Sequence, residues 1–130
     1  MQIRIYYEDT DAGGVVYHAN YLGFFERART EYLRPHGLSI KQLHEEGFIF
    51  PVVRVEIDYK APARLDDLLR IDTGVLAVGK TSFTLRQQAV RCADDKLLVE
   101  AKIILVCVTP GMKAKRLPAP LLAVLNNPDA

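Results

Sequence analysis

The sequence predicts an α+β fold in which one long helix is wrapped by a curved antiparallel sheet of about five strands. Residues 20–34 hold the long stretch of helical periodicity. Tyr21, Phe24, Phe25, Ala28 and Tyr32 recur there at three- and four-residue steps, flanked by Leu22, Arg29 and Leu33, while Glu26, Arg27, Glu31 and Arg34 face away. Between residues 53 and 109, strand-like stretches follow one another with turn residues between them. A meander with one apolar face needs a cover, and this helix is the element long enough to supply it.

Taken in order, Ile3, Ile5 and Tyr7 alternate with Arg4, Tyr6 and Glu8, the period of a half-buried strand with Tyr7 on its core face. Residues 9–14 break that pattern with turn formers, and Gly13-Gly14 permits positive φ or a close backbone approach. Asn20 is the expected N-cap of the long helix, with a start one turn earlier, near Val16 or Tyr17, also open. Pro35 and then His36-Gly37 end it. Residues 39–47 form a short second helix, capped by Ser39 and closed by Gly47. Val53, Val55, Ile57 and Tyr59 alternate with Arg54, Glu56, Asp58 and Lys60, the cleanest strand pattern in the chain, and Pro62 forbids its continuation. Residues 69–78, 81–93 and 97–109 are further strands, turned by Gly79-Lys80 and by Asp94-Asp95-Lys96; Pro110-Gly111 ends the last. Pro118, Pro120 and Pro128 leave room in the tail for no more than a turn of helix at residues 121–125.

Composition narrows the function. The chain has 130 residues, 49% of them apolar, enough for one domain, residues 1–130, with a core that needs no disulfide or metal staple. Lys plus Arg is 17 and Asp plus Glu is 16, a net charge of +1, which offers neither a nucleic-acid groove nor a polybasic membrane patch. Cys92 and Cys107 sit in apolar, strand-like surroundings and are expected as buried, reduced thiols of a cytoplasmic protein. The start, Met1-Gln2-Ile3-Arg4, is no charged-then-apolar leader. No apolar run approaches the ~20 residues of a membrane span.

One motif misleads. Residues 74–81 spell the nucleotide phosphate-loop pattern G-x-x-x-x-G-K-[ST]. Its variable positions are all apolar, and the alternation of Phe83, Leu85, Gln87 and Ala89 puts a strand where the motif requires a helix. Nucleotide hydrolysis is therefore rejected, though a hairpin tip offering Lys80, Thr81 and Ser82 to a phosphate is retained.

The chemistry concentrates ahead of the long helix. Three carboxylates, Glu8, Asp9 and Asp11, stand in a turn whose plain reading is solvation and capping. The chemical reading makes Asp11, beside a glycine pair and a helix start, a base or nucleophile next to backbone N–H groups that polarise a carbonyl. His18 is either a packed core histidine or a second polar group over the same carbonyl. Core packing is the plain role of Tyr7, and His36 and His44 are expected at the surface. A metal site from Glu8, Asp9, Asp11 and His18 lacks a second His or Cys, so no metal is expected. Without a glycine-flanked serine or a histidine partner for either cysteine, serine and cysteine nucleophiles have little support.

The stretch Tyr6-Tyr7-Glu8-Asp9-Thr10-Asp11-Ala12-Gly13-Gly14-Val15-Val16-Tyr17-His18-Ala19-Asn20-Tyr21 resembles the hotdog-fold acyl-CoA thioesterases of the 4-hydroxybenzoyl-CoA thioesterase family. The resemblance continues through Phe25-Glu26-Arg27-Ala28-Arg29-Thr30-Glu31, Tyr59-Lys60-Ala61-Pro62-Ala63-Arg64-Leu65-Asp66-Asp67 and Val106-Cys107-Val108, nearly the whole chain. It implies a hotdog fold, dimerised edge to edge as a homodimer or homotetramer, that hydrolyses short-chain or aromatic acyl-CoA to free acid and coenzyme A. It implies Asp11 as nucleophile or as general base on a water, with backbone N–H groups near Tyr17 and His18 polarising the thioester carbonyl. His18 and, less directly, Tyr7 would position substrate or water. Substrate and coenzyme A contacts would fall to Tyr17, Lys80, Thr81, Ser82 and Arg64, with Arg91 and Arg116 as weaker candidates; Gly79 and Lys80 stand where some relatives carry further arginines. Tyr21, Phe24 and Phe48 join Tyr17 as aromatic candidates for the acyl pocket. No cofactor is implied, since coenzyme A is part of the substrate; acyl carrier protein is a further partner the resemblance admits. Two other functions share these residues: hydration or dehydration of an acyl thioester by His18 and Asp11, and non-catalytic binding of acyl carrier protein or envelope-biogenesis partners.

Overall fold

The expected strands form, with small shifts at their ends: β1 (Gln2–Arg4), β2 (Val52–Tyr59), β3 (Leu68–Val78), β4 (Ser82–Arg91) and β5 (Lys96–Val106). The computed structural model describes residues 1–127, so Pro128 lies outside the described residues. The strands make one five-stranded antiparallel sheet in the order β1-β3-β4-β5-β2. Three helices accompany it: α1 (Asn20–Leu33), α2 (Ile40–Glu45) and α3 (Ala119–Asn126).

Helix α1 turns Tyr21, Phe24, Phe25, Ala28 and Leu33 inward, where they join Leu69, Ile71, Leu85, Ala89, Val99 and Ile103 in one core. Each large apolar side chain so buried contributes about 1.5–3 kcal/mol. One buried polar group sits among them. Gln87, fully buried on β4, donates from Nε2 to Phe25 O (2.9 Å) and Thr73 Oγ1 (3.1 Å), and its Oε1 accepts from Arg29 Nη1 (3.0 Å). The side chain thus ties α1 to both β3 and β4, and Arg29, expected at the flank of the apolar stripe, is drawn inward by it. Ser39 caps α2 as expected, its Oγ accepting from Gln42 N at 3.3 Å, and Gly47 follows with φ +88°.

Several expectations fail, each for a local reason. Tyr7 does not share the core face with Ile3 and Ile5; it opens a 3-10 turn, Tyr7–Asp9, and is 82% exposed. Asn20 is the first residue of α1 rather than its cap, because Ala19 already has helical angles. Strand β5 stops at Val106: Cys107 N donates to Thr81 O (2.7 Å), and Val108 pairs instead with Ile49 and Ala114. The tail forms a full helix of 8 residues despite its prolines. Pro118 is the N-cap and Pro120 lies in the first turn, where a missing N–H costs nothing, and the helix buries Leu121, Val124 and Leu125. The phosphate-loop spelling lies on β3 and the β3–β4 turn, where Gly79 N donates to Ser82 O at 2.7 Å.

Strand β2 carries the clean alternation, yet its apolar members are only partly covered. Val55, Ile57 and Tyr59 stand opposite Ile103, Ala101 and Val99, all buried, but Val53 is 57% and Tyr59 47% exposed. The strand is an edge of the sheet, and α1 covers it only in part, Tyr21 packing on Tyr59 with ring centroids 5.8 Å apart.

Candidate active site

The Asp11 carboxylate is set by a tight turn. Asp11 N donates to Val15 O (2.9 Å), Gly14 N to Asp11 O (3.0 Å), and Gly13 N to Asp11 Oδ1 (2.8 Å). Both positions favour glycine, for different reasons. Gly14 has φ +80°, whereas a Cβ on Gly13 would stand 3.2 Å from Asp11 Oδ1. With Oδ1 engaged, Oδ2 has no partner among the described residues and is available for chemistry.

Of the neighbouring carboxylates, Glu8 is exposed and Asp9 is structural. Asp9 Oδ2 accepts from Tyr6 N (2.9 Å) and caps the 3-10 turn, while Asp9 O accepts from Tyr17 N (2.9 Å) and Asn20 Nδ2 (3.1 Å). These bonds fasten the Asp11 turn to the start of α1. Val16 N donates to Ala63 O (2.9 Å), and Val15 pairs with Arg64, so the segment after β2 forms the other wall. Tyr17's N–H is therefore already bonded. The N–H groups of His18 and Ala19, just ahead of α1, have no acceptor among the described residues.

Asp11 borders two recesses. On one side it lines a hollow of about 320 Å³ with Val15, Val16, His18, Tyr21, Tyr59, Lys60, Ala61 and Pro62. On the other it meets Tyr7, Thr10, Gly14 and Leu65. The structure thus places His18 and Tyr7 on opposite sides of Asp11, one in each recess, and Arg64 on the adjoining loop, bridged to Val15 and lining neither recess. His18 is exposed, which removes the packed-core reading of it. Its ring lies 4.7 Å from that of Tyr17 and 6.2 Å from that of Tyr59. Lys80, Thr81 and Ser82 are elsewhere. They cap the β3–β4 hairpin, at the far end of strands roughly 33 Å long from Leu68, the end near the Asp11 turn. Arg91 is engaged by Asp67 and Asp94, with N–O separations of 3.8 and 2.9 Å. No group of acidic, histidine or cysteine side chains among the described residues is arranged to hold a metal ion.

A model of the thioesterase-like superfamily matches residues 6–125. The chain belongs to that superfamily. It is 49% identical over 122 residues to the acyl-CoA thioester hydrolase YbgC of Escherichia coli O6:H1, covering 93% of this chain and 90% of the relative. It is 44% identical to the acyl-CoA thioesterase YbgC of Haemophilus influenzae, covering 96% of this chain and 92% of that one. Its structure superposes on Slr0204, a 1,4-dihydroxy-2-naphthoyl-CoA thioesterase from Synechocystis, with a TM-score of 0.92 at 26% identity, over 100% of this chain and 96% of that one. The α+β architecture is the hotdog fold of these thioesterases.

Two side chains in the thioesterase-like site escaped the sequence reading. Tyr59 Oη donates to His18 O at 2.9 Å, holding the peptide that leads into the free N–H groups, and burial pushes its phenol above the usual range. Lys60 lines the same hollow. Both end the β2 alternation, where they read as strand residues. The signal available was their position just before Ala61-Pro62, the loop that must pass close to Asp11 once β2 pairs with β5.

Proposed function

We propose that this chain hydrolyses acyl-CoA thioesters of short-chain or aromatic acids, with Asp11 as nucleophile or as general base on a water. That it is an acyl-CoA thioester hydrolase rests on its family and its curated relatives. The observation that supports the residue roles is the Asp11 turn, one carboxylate oxygen fixed by Gly13 N–H and the other free, on a residue that shares a hollow with His18. A carbonyl oxygen seated on the His18 and Ala19 N–H groups is polarised, and the charge it gains in the tetrahedral intermediate is stabilised by those donors and the helix dipole. Asp11 then attacks the carbonyl carbon, or takes a proton from the water that does. The coenzyme A thiolate leaves, and the free acid follows directly or by hydrolysis of the acyl-Asp11 anhydride. His18 and Tyr7 position substrate or water, and Tyr17 flanks the acyl group. A thioester lacks the amide's resonance, so these groups suffice.

The coenzyme A phosphates are assigned to Arg64 of the same chain and to Lys80, Thr81 and Ser82 of a second copy. The distance from the hairpin to Asp11 within one chain supports the second copy as their source, as does the uncovered edge of β2. The chain works as a homodimer or homotetramer, in the cytoplasm, where the free Cys92 and Cys107 stay reduced. Among the described residues no helix is long and apolar enough to cross a membrane.

The test is thiol release from a panel of acyl-CoAs, short, long and aromatic, and from acyl carrier protein thioesters, by wild type and Asp11→Asn. Asp11→Asn is expected to lose about 10²–10⁴-fold in kcat. A mutant retaining wild-type turnover would remove Asp11 from the mechanism. Single turnover in ¹⁸O-water bears on the two roles: unlabelled acid in the first turnover shows a nucleophilic Asp11 whose anhydride is opened at Cγ. Where the acid is labelled, trapping of an acyl-enzyme by rapid quench separates an anhydride opened at the acyl carbon from general-base attack by water.

A further inference from the structure

Away from Asp11, a cavity of about 170 Å³ opens beside the second half of α1. Its walls are mainly apolar, with Leu33 of α1, Phe83 and Leu85 of β4, Leu105 of β5 and Leu125 of α3; Thr30, Tyr32 and His44 add polar groups, and none of its residues borders either recess at Asp11. Arg29 lines it as well, about 14 Å along the helix axis from Asn20. An apolar cavity of ~150 Å³ is large enough to take up benzene, so this one fits a ring or a short alkyl chain.

The cation is what gives the cavity a ligand class. Arg29 Nη1 donates to the neutral Gln87 Oε1 at 3.0 Å, and among the described residues Arg29 is in no ion pair. Burial draws its guanidinium below the usual range, opposed in part by the charge of Glu26. A desolvated guanidinium with a neutral partner is stabilised by any carboxylate brought alongside, most of all where the planar fork can bind both oxygens. Glu26 also lines the cavity, but its side chain is exposed and its Oε1 accepts from Thr30 Oγ1 at 3.0 Å. Its charge weakens an anion there without occupying the guanidinium.

We infer that this cavity is a second binding site, separate from Asp11, for a small amphipathic carboxylate, with the apolar body among the leucines and the carboxylate on Arg29. The ligand is of the same class as the acid a thioesterase releases. The site does not depend on that activity, and its test is binding alone.

Hexanoate and benzoate, with hexanol and benzyl alcohol as uncharged counterparts, are titrated into the full chain while methyl NMR signals of Leu85, Leu105 and Leu125 are followed. Val15 and Val16 report on the Asp11 recess. The carboxylates are expected to shift the leucine signals at millimolar concentration, and the alcohols to bind about tenfold more weakly. Arg29→Met should cost the carboxylates that same factor, and Glu26→Gln should tighten them. Leu125→Phe, which fills the cavity, should abolish the leucine shifts. Shifts confined to Val15 and Val16 would overturn the inference, as would equal affinity for acid and alcohol, or no leucine shift at 10 mM. If Arg29→Met does not fold, the acid–alcohol comparison on wild type and the Leu125→Phe titration decide the matter.

Discussion

At the smallest scale the proposed chemistry falls to Asp11 and the two glycines after it, and adjacent positions there favour glycine for unrelated reasons. At Gly13 the constraint is proximity: a methyl group would lie 3.2 Å from Asp11 Oδ1, which must then give by a few tenths of an ångström from its place on the Gly13 N–H. Gly13→Ala should therefore lower kcat by about 10–100-fold, since small misplacements of a reacting group are costly, while its melting temperature stays near wild type. At Gly14 the constraint is the backbone. Its φ of +80° strains any L-residue although no atom lies within 4 Å, so Gly14→Ala should cost stability, about 1 kcal/mol or more, by urea denaturation. If both variants lost stability equally and kept the same kcat, the carboxylate would not be held by this contact. Glycine pairs in the sequence announce only that a turn is tight. Which glycine serves the carboxylate becomes visible once the turn is closed by the Asp11 N to Val15 O bond.

At the scale of elements, Gln87 joins α1, β3 and β4 through one fully buried side chain. Gln87→Leu keeps the volume and removes both ends of that link, leaving Phe25 O and the Arg29 guanidinium without these partners. Unsatisfied buried groups cost about 1–3 kcal/mol each, so the variant should lose roughly 2–4 kcal/mol in urea denaturation with an unchanged m-value. A loss under 0.5 kcal/mol would mean that water replaces the side chain. The alternation Phe83, Leu85, Gln87, Ala89 made this residue inward-facing in the sequence, but a lone polar residue on a core face gives no hint of its partners. The same limit governs the rest of the fold. Strands and the long helix were legible because their periods are long and their turns well punctuated. Tyr7 was misplaced because a strand of three residues, β1, is too short for alternation to show where it ends. The tail helix exceeds the single turn its prolines suggest because Pro118 and Pro120 fall at its N-cap and in its first turn, where no N–H is needed. Tyr59 and Lys60 reach the Asp11 hollow through pairing across forty residues, Tyr59 with Val99, which no local pattern encodes.

For the whole molecule, the decisive feature is an unfinished edge. Strand β2 pairs with β5 on one side and, among the described residues, with no strand on the other, and its alternating apolar side chains continue a core face that α1 covers only in part. Val52, Val53, Val55 and Tyr59 are 41%, 57%, 36% and 47% exposed. A free edge with an apolar face is a template for strand pairing, and a second copy related by two-fold symmetry presents the same edge in return. Antiparallel pairing of β2 with its counterpart would extend the sheet and bury those valines. It would also fix the end of β2 that carries Tyr59 and Lys60 into the Asp11 hollow. Sedimentation velocity is expected to find a dimer or tetramer at micromolar concentration. A doubly charged edge, Val53→Lys with Val55→Lys, should shift it toward monomer. If the edge also completes the site, activity should fall with the dimer and recover at high protein concentration, with the thiol-release rate rising faster than linearly in enzyme. A monomeric wild type with full activity would break the link between this edge and the site. A charged-edge variant that stayed oligomeric would place the interface on another surface.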